Sequence, residues 1–189
     1  MKKWIRSSLI FLLILLLGII ITGRRMNTLD MENSIPKGSL LWFWKKEIEL
    51  GDIVLVQNPL DTVNHRMLRV LAKEGQTISF SRDGFIIDGK RLHLSYMGEI
   101  DSQFQRWKES YYDANGTEIS WLIQRPNQAS SWTMEPQTIP PGHVFLVCDN
   151  RSSCLDSRWW GAVEQNAITS SLLLQISIPD PWHPLLFIQ

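Results

Sequence analysis

Apolar positions along this chain form one long unbroken run followed by a series of short ones. Leu9 to Ile21 is apolar throughout apart from Gly18, and Ser8 and Thr22 extend the tolerable stretch. At about 1.5 Å per residue such a run reaches roughly 25 Å, a short bilayer-spanning helix with snorkelling flanks. Beyond it no long stretch carries the three-to-four-residue period of an amphipathic helix. Instead Ser39–Trp44 and Asp52–Gln57 read as short strands separated by the polar turn Lys45–Gly51. Arg69–Leu71, Thr77–Phe80 and Phe85–Ile87 continue the pattern, with Asp83-Gly84 and Asp88-Gly89 as hairpin turns. Ser95–Thr138 is polar with scattered aromatics, and reads as a loop-rich insertion with room for one hairpin. Val144–Val147 and Ile168–Ile178 close the series. The pattern predicts a mainly antiparallel β domain, residues 26–189, hung from one N-terminal helix in residues 1–25, with the insertion at about 95–138.

A chain of 189 residues suits one domain plus an anchor. Its 19 Lys+Arg balance 19 Asp+Glu, so bulk charge gives no reason to expect nucleic acid as a partner. Gly23-Arg24-Arg25 follows the apolar run without a small-x-small cleavage site, which favours a retained anchor over a cleaved signal peptide. Lys2, Lys3, Arg6 and the amino terminus slightly outweigh Arg24 and Arg25, which puts the N-terminus in the cytoplasm and the domain outside. Cys148 and Cys154 fit a small disulfide loop in an oxidising compartment, or two unrelated small apolar residues in a reducing one. The 4 histidines are dispersed without ligand spacing, so no metal or cofactor is expected, and His143 reads as a surface or hydrogen-bonding residue. Trp42, Phe43 and Trp44 beside Lys45 and Lys46 make an aromatic-basic edge suited to membrane lipid, with core packing as the competing role.

Four ordered motifs resemble those of bacterial type I signal peptidases, membrane-anchored serine proteases that remove signal peptides. The family carries Ser-Met-x-Pro-Thr-Leu-x-x-Gly-Asp just past its anchor; here the matching stretch runs from Asp30-Met31-Glu32-Asn33-Ser34-Ile35 to Gly38-Ser39. Gly51-Asp52-Ile53-Val54, followed by Pro59, is similar to the family's next strand. Leu68-Arg69-Val70 to Gly75, then Ile87-Asp88-Gly89-Lys90, resembles the third segment. The fourth is the fullest match: Gly142, Phe145, Asp149-Asn150-Arg151, Asp156-Ser157-Arg158 and Gly161 fall in register, with Cys148 at a usual glycine and Cys154 at a serine that orients the lysine.

The resemblance implies a Ser/Lys dyad, in which a lysine of lowered pKa takes the serine proton and nearby donors stabilise the oxyanion. The nucleophile position holds Asp30 and the base position Leu68. A carboxylate attacks a peptide carbonyl weakly, and leucine has no lone pair for a proton. Thr28 matches a hydroxyl that faces the oxyanion. An alternative Ser34/His65 pair follows from the His65-Arg66-Met67 stretch, similar to the His-based relatives, but it requires a slip of three residues, which exchanges strand faces. An aspartic-type pair of Asp30 with Asp149 or Asp156 competes poorly with a buried ion-pair network, because Arg151 and Arg158 sit beside those acids.

What the resemblance then implies is a catalytically inactive relative at the bacterial cytoplasmic membrane, single-pass, with its domain on the extracytoplasmic side. Thr28, Met31, Ser34 and the strand bearing Leu68 would border a peptide groove, and the partner would be an exported or surface-assembly polypeptide taken up by strand addition. The competing class is an active, diverged signal peptidase, a serine endopeptidase using His65 or another base. A purely structural membrane protein is the third class.

Overall fold

The computed structural model describes residues 23–25, 30–128, 132–152 and 154–177. The expected anchor and Thr28 lie outside them. Among the described residues no helix is long and apolar enough to cross a membrane.

The described chain is mainly antiparallel β, in three sheets. The largest has seven strands, β1 (Arg24–Arg25), β2 (Leu40–Trp44), β14 (Ile168–Ile176), β3 (Ile53–Asn58), β4 (Asp61–Lys73), β12 (His143–Val147) and β13 (Val163–Glu164), in that spatial order. The second has four, β11 (Met134–Thr138), β5 (Thr77–Ser81), β6 (Gly84–Ile87) and β7 (Lys90–Arg91). The third is a meander of β8 (His93–Glu99), β9 (Phe104–Tyr112) and β10 (Glu118–Pro126). A single turn of helix, α1 (Ser157–Trp160), follows the signature loop.

The strands read from the apolar runs are present within a residue or two, except β4, which is 13 residues long and begins well before Arg69. Ser95–Thr138 differs from expectation. It is not loop-rich with room for one hairpin: it forms most of the three-stranded sheet and supplies β11 to the four-stranded one. The reason lies in its inward face. Trp107, Tyr111, Ile119, Trp121 and Ile123 pack on the central core with Leu71, Phe85 and Phe145. Glu109 occupies a matching inward position, opposite Trp121, so a buried charge interrupts the alternation that would have marked the strand.

β4 divides the core. Leu68 and Val70 point to one apolar cluster, shared with Val54, Val144, Leu146, Cys148 and Cys154. Met67 points the other way, to Met31, Ile35 and Leu41, as two-residue alternation requires. Gly51 (φ 89°) sits where a Cβ would meet Ile119 at 2.9 Å, so the β2–β3 turn needs glycine there both for its conformation and for the close approach of the third sheet. Phe43 packs toward the Met31 cluster, while Trp44 is 67% exposed.

Candidate functional site

The loop before β2, the middle of β4 and the turn between β12 and α1 converge on Asp30. The Asn150 N–H donates to the Asp30 carbonyl at 3.0 Å. The Asp30 carboxylate takes a forked pair of hydrogen bonds from Arg66, Nη2 to Oδ1 at 2.7 Å and Nε to Oδ2 at 3.1 Å. Arg66 lies two residues before Leu68 and therefore on the same face of β4. Its guanidinium also donates to the Leu155 carbonyl at 3.1 Å and to Cys154 Sγ at 3.6 Å. Leu68 has no exposed surface and packs in one cluster with both cysteines. Cys148 and Cys154 are bridged, with Cα atoms 6.2 Å apart. Asp30 and the two sulfurs bring donor atoms within 4.8 Å of one another. Because the sulfurs are joined to each other, the cluster offers a metal ion only the one carboxylate.

Asn33 follows in the same loop, at the position where the resembling motif carries proline. Its φ is 83°, which a pyrrolidine ring locked near −65° cannot adopt. The Asn33 amide is tied to the third sheet, Nδ2 donating to Gln124 Oε1 at 3.0 Å and Oδ1 accepting from Arg106 Nε at 3.4 Å. The loop thus takes a local path that asparagine permits and proline forbids.

The signature turn is held by ionic pairs, with partners that differ in one case from expectation. Asp149 pairs with Arg69 rather than Arg151: Arg69 Nε donates to Oδ1 at 2.8 Å and Nη2 to Oδ2 at 2.5 Å, both residues being buried. Arg69 also lies over the Trp121 ring at 5.3 Å. Arg151 instead pairs with Glu109 and stacks over Phe85 at 5.1 Å. Burial pushes the Arg151 guanidinium below its ordinary value, and the Glu109 charge pulls it partly back. Asp156 does pair with Arg158, caps α1 through the Arg158 N–H at 3.0 Å, and accepts from the Cys148 N–H at 3.0 Å. Ser157 Oγ accepts from the Leu146 N–H at 3.0 Å. These groups build the turn, and the carboxylates of Asp149 and Asp156 are both taken up by arginine.

Ser34 and His65 are not brought together. Ser34 Oγ donates to the Leu122 carbonyl at 2.8 Å and accepts from Arg69 Nη2 at 3.2 Å. His65 is exposed, opposite Gln57, and lines a separate hollow with Trp42 and Trp44. Met31 is fully buried in the cluster on the far face of β4 from Leu68. Sequence reasoning missed Arg66 and Glu109. The signal for Arg66 was its spacing, two before Leu68 on one strand face; Glu109 left none that pattern alone could show.

The chain matches the family described as signal peptidase, peptidase S26, over residues 1–176, and it belongs to that family. It is 26% identical over 152 residues to signal peptidase I of Pseudomonas aeruginosa, covering 69% of this chain and 50% of that protein. To signal peptidase I of Bacillus amyloliquefaciens it is 28% identical over 126 residues, covering 66% of this chain and 55% of that one. The chain thus spans about half the length of these relatives. The crystal structure of a signal peptidase I from Enterococcus faecalis aligns with a TM-score of 0.44 at 19% identity, over 69% of this chain and 100% of that one.

Proposed function

We propose that this protein is a catalytically inactive member of the signal peptidase family that holds an extended segment of an exported or surface-assembly polypeptide. One observation carries the reading: Asp30 and Arg66 form a closed ion pair where the motif places the nucleophile, while the base position is the wholly buried Leu68. Neither group can generate an alkoxide. Peptide holding is supported by the edge of β4. β12 pairs with β4 only from Arg69 to Lys73, so among the described residues the stretch Asp61–Leu68 has a ladder partner on its β3 side alone. An open strand edge binds extended chain through main-chain hydrogen bonds.

The protein is proposed to sit in the bacterial cytoplasmic membrane through Leu9–Ile21, with the domain outside. The apolar surface of β2 and β14, including Trp44 and Leu173 at 67% and 65% exposure, would rest on lipid.

The test uses full-length protein in detergent with a signal-peptide-bearing precursor and, separately, the isolated signal-peptide segment. The precursor should remain uncleaved. The segment should bind, and N-methylation at alternate amides should weaken binding at least about tenfold by removing edge hydrogen bonds. Cleavage that persists in Asp30→Ala and is lost in His65→Ala would establish the diverged peptidase instead. Equal binding of the plain and methylated segments would exclude strand addition.

A further inference from the structure

We infer that the Cys148–Cys154 bridge is a working redox couple that oxidises a dithiol in a polypeptide, with Cys154 as the exchanging sulfur and Arg66 as its thiolate partner. The inference stands independently of peptide holding at the β4 edge. Three features of the molecule support it.

First, the two cysteines are not equivalent. Cys148 has no exposed surface and sits among Val54, Leu68 and Leu146. Cys154 is 8% exposed and lines an open cavity of about 720 Å³ together with Phe85, Arg151 and Trp159. Second, Cys154 Sγ receives a hydrogen bond from the Arg66 guanidinium. A cation at that distance favours the thiolate when the bridge is opened, whereas apolar burial keeps Cys148 a neutral thiol. Third, the turn has little need of a covalent tie. The bridge closes a ring over only five intervening residues, for which chain-entropy stabilisation is near the low end. The same turn is already fixed by Asp149 to Arg69, by Asp156 to Arg158 and the Cys148 N–H, and by Asn150 to the Asp30 carbonyl.

The step balances as ordinary thiol–disulfide exchange. A substrate thiol loses its proton to solvent, and its thiolate attacks Cys154 Sγ. The bond from Cys154 to Cys148 breaks, and Cys148 leaves as a thiolate that takes a proton from solvent. The second substrate thiol loses its proton to solvent, and its thiolate attacks the substrate sulfur of the mixed disulfide and releases Cys154 as a thiolate beside Arg66. The substrate loses two electrons and two protons and becomes a disulfide; the protein gains the two electrons and one proton, the other proton staying in solvent while Cys154 remains a thiolate. A low-molecular-weight disulfide such as oxidised glutathione restores the bridge by the reverse route.

The experiment equilibrates full-length protein in detergent with graded mixtures of reduced and oxidised glutathione and counts free thiols by alkylation. The expected result is a reversible transition within the series, with the folded near-ultraviolet spectrum retained on both sides. Arg66→Gln should lower the equilibrium constant for reduction about tenfold, the equivalent of one pKa unit at Cys154, and should raise the pH midpoint of thiolate absorbance. Cys148→Ser should leave a Cys154 that an aromatic disulfide reagent traps rapidly at neutral pH, and Cys154→Ser a Cys148 that reacts only on unfolding. A bridge that stays oxidised across the whole series, or opens only together with unfolding, overturns the inference without recourse to any variant. Equal reactivity of the two single cysteines overturns the assignment of Cys154. An unchanged thiolate midpoint in Arg66→Gln overturns the role of Arg66.

Discussion

On the proposed reading, Asp30 and Arg66 put an interaction of the same reach where the family's motif carries its nucleophile. A serine and a lysine need a proton path between them; a carboxylate and a guanidinium form a forked pair that needs none. With side chains 16% and 20% exposed, the pair is shielded more than a surface bridge and less than a core one. Its forked geometry places it above the usual surface value. A double-mutant cycle of Asp30→Ala and Arg66→Ala, read by urea unfolding, should give a coupling of about 1–2 kcal/mol. A coupling near zero would make the pair a bystander. Asn33 makes the second residue-scale case. Asn33→Gly keeps the positive φ and loses the amide's hydrogen bonds, so it should cost about 1 kcal/mol. Asn33→Pro cannot reach that φ and should cost about 2 kcal/mol or more. Similar costs for the two substitutions would show that the loop re-forms along the path a proline allows.

At the scale of elements, the strands legible in the sequence were those whose inward positions are uniformly apolar. β3, β5, β6 and β12 carry Val54, Val56, Ile78, Phe85, Ile87 and Phe145 in a regular alternation or a short run. The meander of β8, β9 and β10 was not legible because its inward face mixes Trp107 and Tyr111 with Glu109, and because Glu109 has its charge answered by a residue 42 positions away. The site was legible to the extent that its motifs lie along the chain. Asp30, Leu68 and the signature turn could be placed by register, but the Arg69–Asp149 pairing joins residues 80 apart and depends on β4 lying beside β12. Sequence adjacency pointed to Arg151 for that pairing; spatial adjacency selected Arg69. The buried Glu109 carries a sharp prediction. Glu109→Gln keeps an acceptor for Trp121 Nε1, now at 2.8 Å from the carboxylate, but leaves the enclosed Arg151 charge without its hydrogen-bonded counter-ion. It should destabilise the protein by about 3 kcal/mol or more in urea unfolding. Glu109→Gln combined with Arg151→Met should recover much of that loss, since the enclosed charge is then gone as well. Failure of the second change to recover stability would place the cost in the packing of the residue-109 side chain rather than in the enclosed charge.

For the whole molecule, one group of the exposed apolar residues is informative because it is gathered on two adjacent strands of the large sheet. Trp44 on β2 and Leu173, Leu174 and Ile176 on β14 are exposed and belong to adjacent strands, Trp44 lying opposite Ser171 and Trp42 opposite Leu174. β1 pairs with β2, so the chain leaving the proposed anchor enters the domain at this same end of the large sheet. An apolar surface there would be held against lipid by the anchor at no further cost in translational freedom, and tryptophan suits the interface with its apolar ring and polar N–H. Trp159 on α1 is exposed to the same 67% but lies on the signature turn, beside the cavity rather than on the β2–β14 surface. The two tryptophans are therefore a matched pair that differs in position and not in exposure. In full-length protein reconstituted into bilayers with brominated acyl chains, part of the tryptophan emission should be quenched. Trp44→Phe should remove a measurable share of that quenching, and Trp159→Phe should leave it unchanged. If Trp159→Phe removes as much as Trp44→Phe, the domain lies on the membrane by another face; if neither does, the β2–β14 surface faces water and its apolar residues serve some contact other than lipid.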